Sequence, residues 1–94
     1  MKLIELDAAG WTDPEDFYAA LLPRLGAPAW HGHNLNALND SIFGGGINDV
    51  EPPYRIVVRN IALLDADMSA FLGQVMSVFD EGYADVDAYL ALEP

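Results

Sequence analysis

The side chains best placed for chemistry lie in one short stretch, residues 27–44, which holds one acid, three amides and two histidines. Asp40 has Asn36 and Asn39 within about one helical turn, so a helix there would present all three side chains together. An exposed carboxylate on a rigid helix can imitate a phosphate, because it binds Arg, Lys or His donors through charge-assisted hydrogen bonds. The competing interpretation is a solvated polar face without a partner.

The two histidines of this stretch allow two further interpretations. His31 and His33 could supply two ligands to a metal ion, but a catalytic zinc site needs about three protein ligands and a closed site about four. The same pair could serve as the general acid and base of a ribonuclease. Asp40 lies two helical turns away, however, and the stretch has no Lys or Arg to hold a phosphate. We therefore expect no metal, no cofactor and no catalytic activity.

A short helix over residues 34–43 is predicted to position these side chains. Asn34 should cap it by accepting a hydrogen bond from a backbone N–H two or three residues on, and the glycines at 44–46 should end it. A helix this short is marginal alone, so its apolar stripe must dock on a core. That stripe is Leu35, Leu38 and Ile42. The face expected to point outward is Asn36, Asn39, Asp40 and Phe43.

The loop before this helix carries the other candidate contacts. Trp30 is expected either to stack on a partner or to close the core as a half-buried ring, and the sequence favours neither. His31 could take either place. Gly32 should let the loop bend and approach a partner closely.

This stretch resembles the signature of the barstar family. The matching residues are Pro28, Trp30, Gly32, Asn34-Leu35, Ala37-Leu38 and Asp40, with a second, weaker match at Val78-Phe79-Asp80-Glu81. Barstars are small bacterial intracellular proteins that inhibit secreted ribonucleases of the barnase type. The resemblance implies that Asp40 enters the phosphate pocket of a guanyl-preferring ribonuclease and that Glu81 adds an acidic contact at the flank. The expected partner-binding residues are Trp30, His31, Gly32, Asn34, Asn36, Asn39, Asp40, Phe43 and Glu81.

Two positions depart from the family pattern. Asn36 stands where the family commonly has a second Asp, and Asn39 where it commonly has Trp. Asn36 keeps an acceptor but loses a charge, and Asn39 loses contact area. These changes indicate either a different ribonuclease or weaker binding to the usual one. They also motivate an alternative function: a non-catalytic scaffold or self-associating protein that kept the fold and uses this surface for another partner.

The composition is typical of a protein that binds a basic partner. The 94 residues include 15 Asp+Glu and 4 Lys+Arg, a net charge of −11, which attracts a basic protein and repels nucleic acid and anionic lipid. Such acidity can also serve solubility alone. No cysteine is present, which excludes disulfides and thiolate sites. Without a signal-peptide pattern or an apolar run of about 20 residues, the chain is expected to be cytoplasmic, bound to no membrane, and monomeric when free.

The pattern along the chain predicts an α/β fold in a single domain, residues 1–94. Strands are predicted at 2–6, 54–59 and 86–92, with helices before and after the second strand. Long connections between strands require parallel pairing, so we expect a small three-stranded parallel sheet packed with three to four helices. The apolar run at 56–58 suits a strand covered on both faces.

Further local signals refine this prediction. Thr12 with Glu15 predicts a capping box for the first helix, and Pro23 should end or kink that helix. Residues 44–53 are predicted to form a loop. A third helix should begin at Asp65 or Asp67 and bury the stripe Met68, Phe71, Leu72, Val75 and Phe79. Before it, the segment 60–66 is expected to pack through Ile61, Leu63 and Leu64.

Overall fold

The computed structural model describes residues 1–82 and 86–94 of the chain. The elements are, in order, β1 (Lys2–Asp7), α1 (Pro14–Leu25), α2 (Leu35–Phe43), β2 (Tyr54–Arg59), a 3₁₀ turn (Ile61–Leu63), α3 (Ala66–Asp80) and β3 (Ala88–Leu92). The strands form one parallel sheet in the order β1-β2-β3. The predicted three-stranded parallel sheet is confirmed, and in the described part of the chain three α-helices accompany it.

The helices pack on one face of the sheet. The strand residues on that face, which belong to the same buried cluster as the helix residues, are Ile4, Leu6, Tyr54, Ile56, Val58, Ala88 and Leu90. The opposite face is open in part, because Leu3, Arg55 and Tyr89 lie side by side in register and are exposed. The prediction that the run 56–58 is covered on both faces is confirmed for these three residues, because Val57, which points to the opposite face and lies outside the core cluster, is also buried.

The first helix begins one residue later than predicted. Asp13 is its N-cap and accepts a hydrogen bond from the Asp16 N–H at 3.3 Å, while Asp16 accepts one from the Thr12 N–H at 2.8 Å. The predicted capping box between Thr12 and Glu15 is wrong, because the cap lies one residue further on at Asp13 and Asp16 takes the position three residues after it. The side chain of Glu15 is left to pair outside the helix.

The proline near the end of this helix does not end it. Pro23 lies in the last turn, where the hydrogen bond that proline cannot donate is lost only near the end of the helix, and α1 continues to Leu25. Gly26 ends the helix at φ 64°, a left-handed conformation that suits glycine. The chain then turns directly into the loop that carries Trp30.

The third helix follows its predicted pattern closely. Asp65 caps it by accepting a hydrogen bond from the Met68 N–H at 2.8 Å. The stripe is buried except for Phe71, which is half-buried with its ring centroid 5.6 Å from that of Phe17. Leu63 was expected to pack but is 70% exposed, whereas its neighbours Ile61 and Leu64 are half-buried. No helix in the described ranges is both long and apolar enough to cross a lipid bilayer.

Candidate functional site

The helix α2 is held rigidly enough to present a defined outer surface. Asn34 caps it, as predicted, by accepting a hydrogen bond from the Ala37 N–H at 2.8 Å. Leu38 and Ile42 are buried in the core, which supplies the docking that a nine-residue helix needs. The backbone N–H of Gly44 closes the last turn on the carbonyl of Asp40 at 2.9 Å.

Besides the exposed cap residue Asn34, four of the predicted contact residues are exposed around this helix: Trp30, Asn36, Asn39 and Asp40. We call these four side chains the α2 face. The indole of Trp30 is 73% exposed, so the alternative of a half-buried ring is wrong. From residue 25 to residue 54 the sequence contains no Lys or Arg, so no cation of its own segment neutralises Asp40. The α2 face therefore combines one carboxylate and two amides on a docked helix with a large exposed aromatic ring in the loop before it.

His31, in contrast, faces the interior and is only 5% exposed. Its Nδ1 lies 2.7 Å from the carbonyl oxygen of Gly32, which can only accept, so Nδ1 carries the proton. Its Nε2 lies 2.8 Å from the hydroxyl oxygen of Ser41, which itself lies 3.2 Å from the carbonyl oxygen of Leu38. His31 was expected to contact a partner or the core. The structure shows that it links the loop to α2 from inside.

The bend of the loop depends on Gly32 for a steric reason. A Cβ added there would lie 2.9 Å from the amide nitrogen of Asn34 and 3.1 Å from Cβ of Ala37. Any larger residue would push against the group that caps α2. The backbone N–H of His31 also donates to the carbonyl of Pro28 at 3.0 Å. This turn leaves Trp30 at its exposed tip.

Phe43 does not belong to the outer surface. Helical spacing placed it beside Asn39 and Asp40, but it is 8% exposed and its ring lies edge to face with Phe79, with centroids 6.1 Å apart. Gly82 packs so closely that a Cβ there would overlap the ring of Phe43. The end of α3 thus covers Phe43, and the expectation that it points outward is wrong.

Glu81 is exposed and forms the C-cap of α3, beside the glycine that packs on Phe43. The contact between Phe43 and Phe79 brings this end of α3 against the end of α2. The structure therefore places Asp40 and Glu81 on ends of helices that touch, although 41 positions separate them in the sequence.

A second link holds the loop to α1. The Nδ1 of His33 lies 2.6 Å from a carboxylate oxygen of Glu15, and its ring stacks on Tyr18 with centroids 5.7 Å apart. Burial, and to a lesser degree the charge of Glu15, raises the pKa of the Tyr18 hydroxyl. Sequence reasoning missed this contact because its partners lie 18 residues apart and no local motif connects them.

The two histidines do not share a site. Both ring nitrogens of His31 are engaged inside the protein, while His33 is exposed and pairs with Glu15. Within the described residues, no three His, Cys, Asp or Glu side chains are grouped so as to hold a metal ion. The geometry therefore gives no support to a His-x-His metal centre or to an acid–base pair.

Comparison with known families gives one match. Residues 1–90 match the family model described as Barstar (barnase inhibitor). Among curated proteins, none matches the chain. The matched range contains the whole α2 face and Glu81.

The buried His31–Ser41 contact should contribute measurably to stability. Ser41→Ala leaves Nε2 of His31 buried without its hydrogen-bond partner, which costs about 1–3 kcal/mol of unfolding free energy. Ser77→Ala is the matched control, since the Ser77 hydroxyl is exposed and, among the described residues, bonds the carbonyl of Gly73 alone. We expect its effect to stay within about 0.5 kcal/mol. Urea unfolding of the three proteins measures both values. If the two substitutions lower the unfolding free energy by the same amount, the buried contact stabilises the fold no more than the exposed one.

Proposed function

The chain belongs to the barstar family, and from this premise we propose that it inhibits a barnase-type ribonuclease by binding across the active site of the nuclease. The α2 face would make the central contact. Membership of the family is the reason to expect inhibition of a ribonuclease. The exposed side chains of the α2 face support binding across its active site.

The observation that carries the proposal is the exposed carboxylate of Asp40 on a docked helix. It lies in the last turn of α2, where the helix dipole disfavours an anion, so local stability does not explain an acid at this position. A ribonuclease that cleaves RNA must hold a phosphate with cationic donors. Asp40 would fill that phosphate position and accept charge-assisted hydrogen bonds from the same donors.

The neighbours of Asp40 would add area and specificity. Trp30 projects from a turn that is fixed at both ends, so its indole can bury against a partner with little loss of conformational entropy. Asn36 and Asn39 offer both donors and acceptors. Glu81 would contribute a second charge at the edge of the interface, because its helix end contacts that of α2.

The net charge of −11 supports the same proposal through kinetics. An acidic surface attracts a basic nuclease over a range of about one Debye length, which is about 10 Å at 0.1 M salt. Association should therefore be fast at low ionic strength and slow as salt is added.

The Asp40→Asn variant tests the proposal directly. Removal of the charge should weaken inhibition of barnase by at least about 30-fold, because a cationic pocket would be left without its anion. It should leave thermal stability unchanged or slightly higher, because an unfavourable charge–dipole interaction is removed. Inhibition constants from RNA cleavage at low and at physiological salt provide the measurement.

The matched control for this experiment is Asp67→Asn. Asp67 is an exposed acid in the first turn of α3, at the other end of that helix from Glu81. The Asp67→Asn substitution changes the net charge by the same amount as Asp40→Asn, and it should weaken inhibition less than about threefold. If both variants inhibit like the wild type, Asp40 is not a phosphate mimic. If the wild-type protein itself does not inhibit, the alternative of a scaffold with another partner is favoured.

The substitution Asn36→Asp should strengthen inhibition. It restores the second acid common in the family, one helical turn before Asp40, and should tighten binding to barnase by about 10-fold at low salt. Two like charges at this spacing should lower the free energy of unfolding by about 0.2–0.5 kcal/mol. Thermal unfolding measures this loss of stability separately from the gain in affinity. Weaker or unchanged binding would indicate that the amide of Asn36 is adapted to a different ribonuclease.

A further inference from the structure

The ends of α2 and α3 meet through a close contact between the ring of Phe43 and the backbone of Gly82. Phe43 is the last residue of α2, and Gly82 follows the last residue of α3 by two positions. A Cβ built on Gly82 would overlap the ring atoms Cε1 and Cζ of Phe43. A hydrogen is therefore the largest side chain that position 82 holds while the ring stays where it is.

The backbone conformation of Gly82 gives no reason for a glycine at this position. The described glycines with a positive φ are Gly10, Gly26, Gly45 and Gly46, and Gly82 is not among them. Its φ thus lies outside the left-handed region in which glycine is favoured. The three atoms nearest to a Cβ at position 82 all belong to the ring of Phe43. It is this ring that excludes a larger residue.

The ring of Phe43 is enclosed, so it cannot simply turn away from an added methyl group. It belongs to the buried core cluster and lies edge to face with Phe79, with centroids 6.1 Å apart and ring planes at 68°. Closely packed interiors accept added volume only if a neighbouring part shifts. The N–H of Gly82 reaches the carbonyl of Phe79 at 3.4 Å, which is a long hydrogen bond. The end of α3 is therefore the part that would move.

Each side of this contact adjoins one of the two acids of the proposed interface. Phe43 lies three positions after Asp40, so the two side chains are neighbours on the surface of α2. The hydrogen bond from the Gly44 N–H to the carbonyl of Asp40, at 2.9 Å, holds this last turn. On the other side, Glu81 directly precedes Gly82. The contact therefore sets how far the end of α3 that carries Glu81 stands from the turn of α2 that carries Asp40.

We propose that Phe43 and Gly82 are positioning residues, which set the spacing of Asp40 and Glu81 and thereby determine which ribonucleases the protein inhibits. This inference rests on the proposed function. Charge-assisted hydrogen bonds need donor–acceptor distances of about 2.7–2.9 Å, so two acids on separate helices can both bind only a nuclease whose cations have the matching separation. A displaced end of α3 loses the contact of Glu81 and keeps that of Asp40. Specificity then follows from the difference in affinity between matched and unmatched nucleases.

The first experiment tests the contact without a ribonuclease. Gly82→Ala should lower the melting temperature by at least about 5 °C, because its methyl group presses on the ring. Phe43→Leu removes the ring atoms that the methyl group would overlap, so the double variant should lose less stability than the two single variants together. Additive losses would overturn the contact.

Gly73→Ala is the matched control within α3. A Cβ on Gly73 would have no other part of the described chain within 4 Å, and alanine favours a helix over glycine. This variant should therefore melt at the same temperature as the wild type or higher. A loss equal to that of Gly82→Ala would show that the contact with Phe43 is not what makes position 82 sensitive, and would overturn the inference.

The second experiment measures inhibition of barnase by the same variants, with Glu81→Gln added. Glu81→Gln and Gly82→Ala should each weaken inhibition by about fivefold. Combined, they should weaken it no more than either does alone, because both remove the same contact. The Phe43→Leu, Gly82→Ala double variant should recover to within about twofold of the wild type, and Gly73→Ala should inhibit like the wild type.

Two results would overturn the inference. If Gly82→Ala inhibits like the wild type while Glu81→Gln does not, the ring has moved and the spacing of the acids is not set by this contact. If Gly82→Ala has its full effect in the Glu81→Gln background, it does not act through Glu81. Neither result bears on Asp40, whose role is tested separately by Asp40→Asn, so failure of the inference and failure of the proposed function can be distinguished.

Discussion

The docking of α2 is the constraint on which the rest of the structure depends. Nine residues cannot form a stable helix alone, so the position of Asp40 is set by the burial of Leu38 and Ile42 beneath it. The amide of Asn34 fixes where the helix starts, and the buried contact between His31 and Ser41 fixes the loop against it. The outer side chains therefore need little rearrangement on binding, which lowers the entropic cost of forming a complex.

Basic and acidic residues are distributed unevenly along the chain. The four basic residues fall within residues 2–24 and 55–59, whereas the segment that contains α2 and the last third of the chain carry acids only. Arg59 is bound by Glu5 and Glu93 at 2.8 Å each, beside the open face of the sheet, where both partners are about half exposed. The helix ends that carry Asp40 and Glu81 keep their negative charge. Such an asymmetry favours one orientation of approach for a basic partner.

The sequence predicted those features that depend on neighbouring residues. The caps at Asn34 and Asp65 and the apolar stripes follow from spacing and from short-range hydrogen bonds, and the parallel sheet follows from the long connections between its strands. Phe43 was wrongly predicted to be exposed. Helical spacing gives the direction of a side chain but not which other part of the chain packs on it, and the end of α3 packs on Phe43. The pairing of His33 with Glu15 joins residues 18 positions apart, so only the folded chain brings them together.

Competition with a small ligand of the nuclease active site tests the central claim, that the α2 face occupies this site, most directly. Binding of the protein to barnase is measured by calorimetry at rising concentrations of a guanosine monophosphate, which occupies the guanine and phosphate positions of a guanyl-preferring enzyme. The account predicts that the apparent dissociation constant rises in proportion to the nucleotide concentration, because one phosphate position cannot hold both the nucleotide and Asp40. An unchanged constant, with nucleotide and protein bound to the enzyme together, would contradict it.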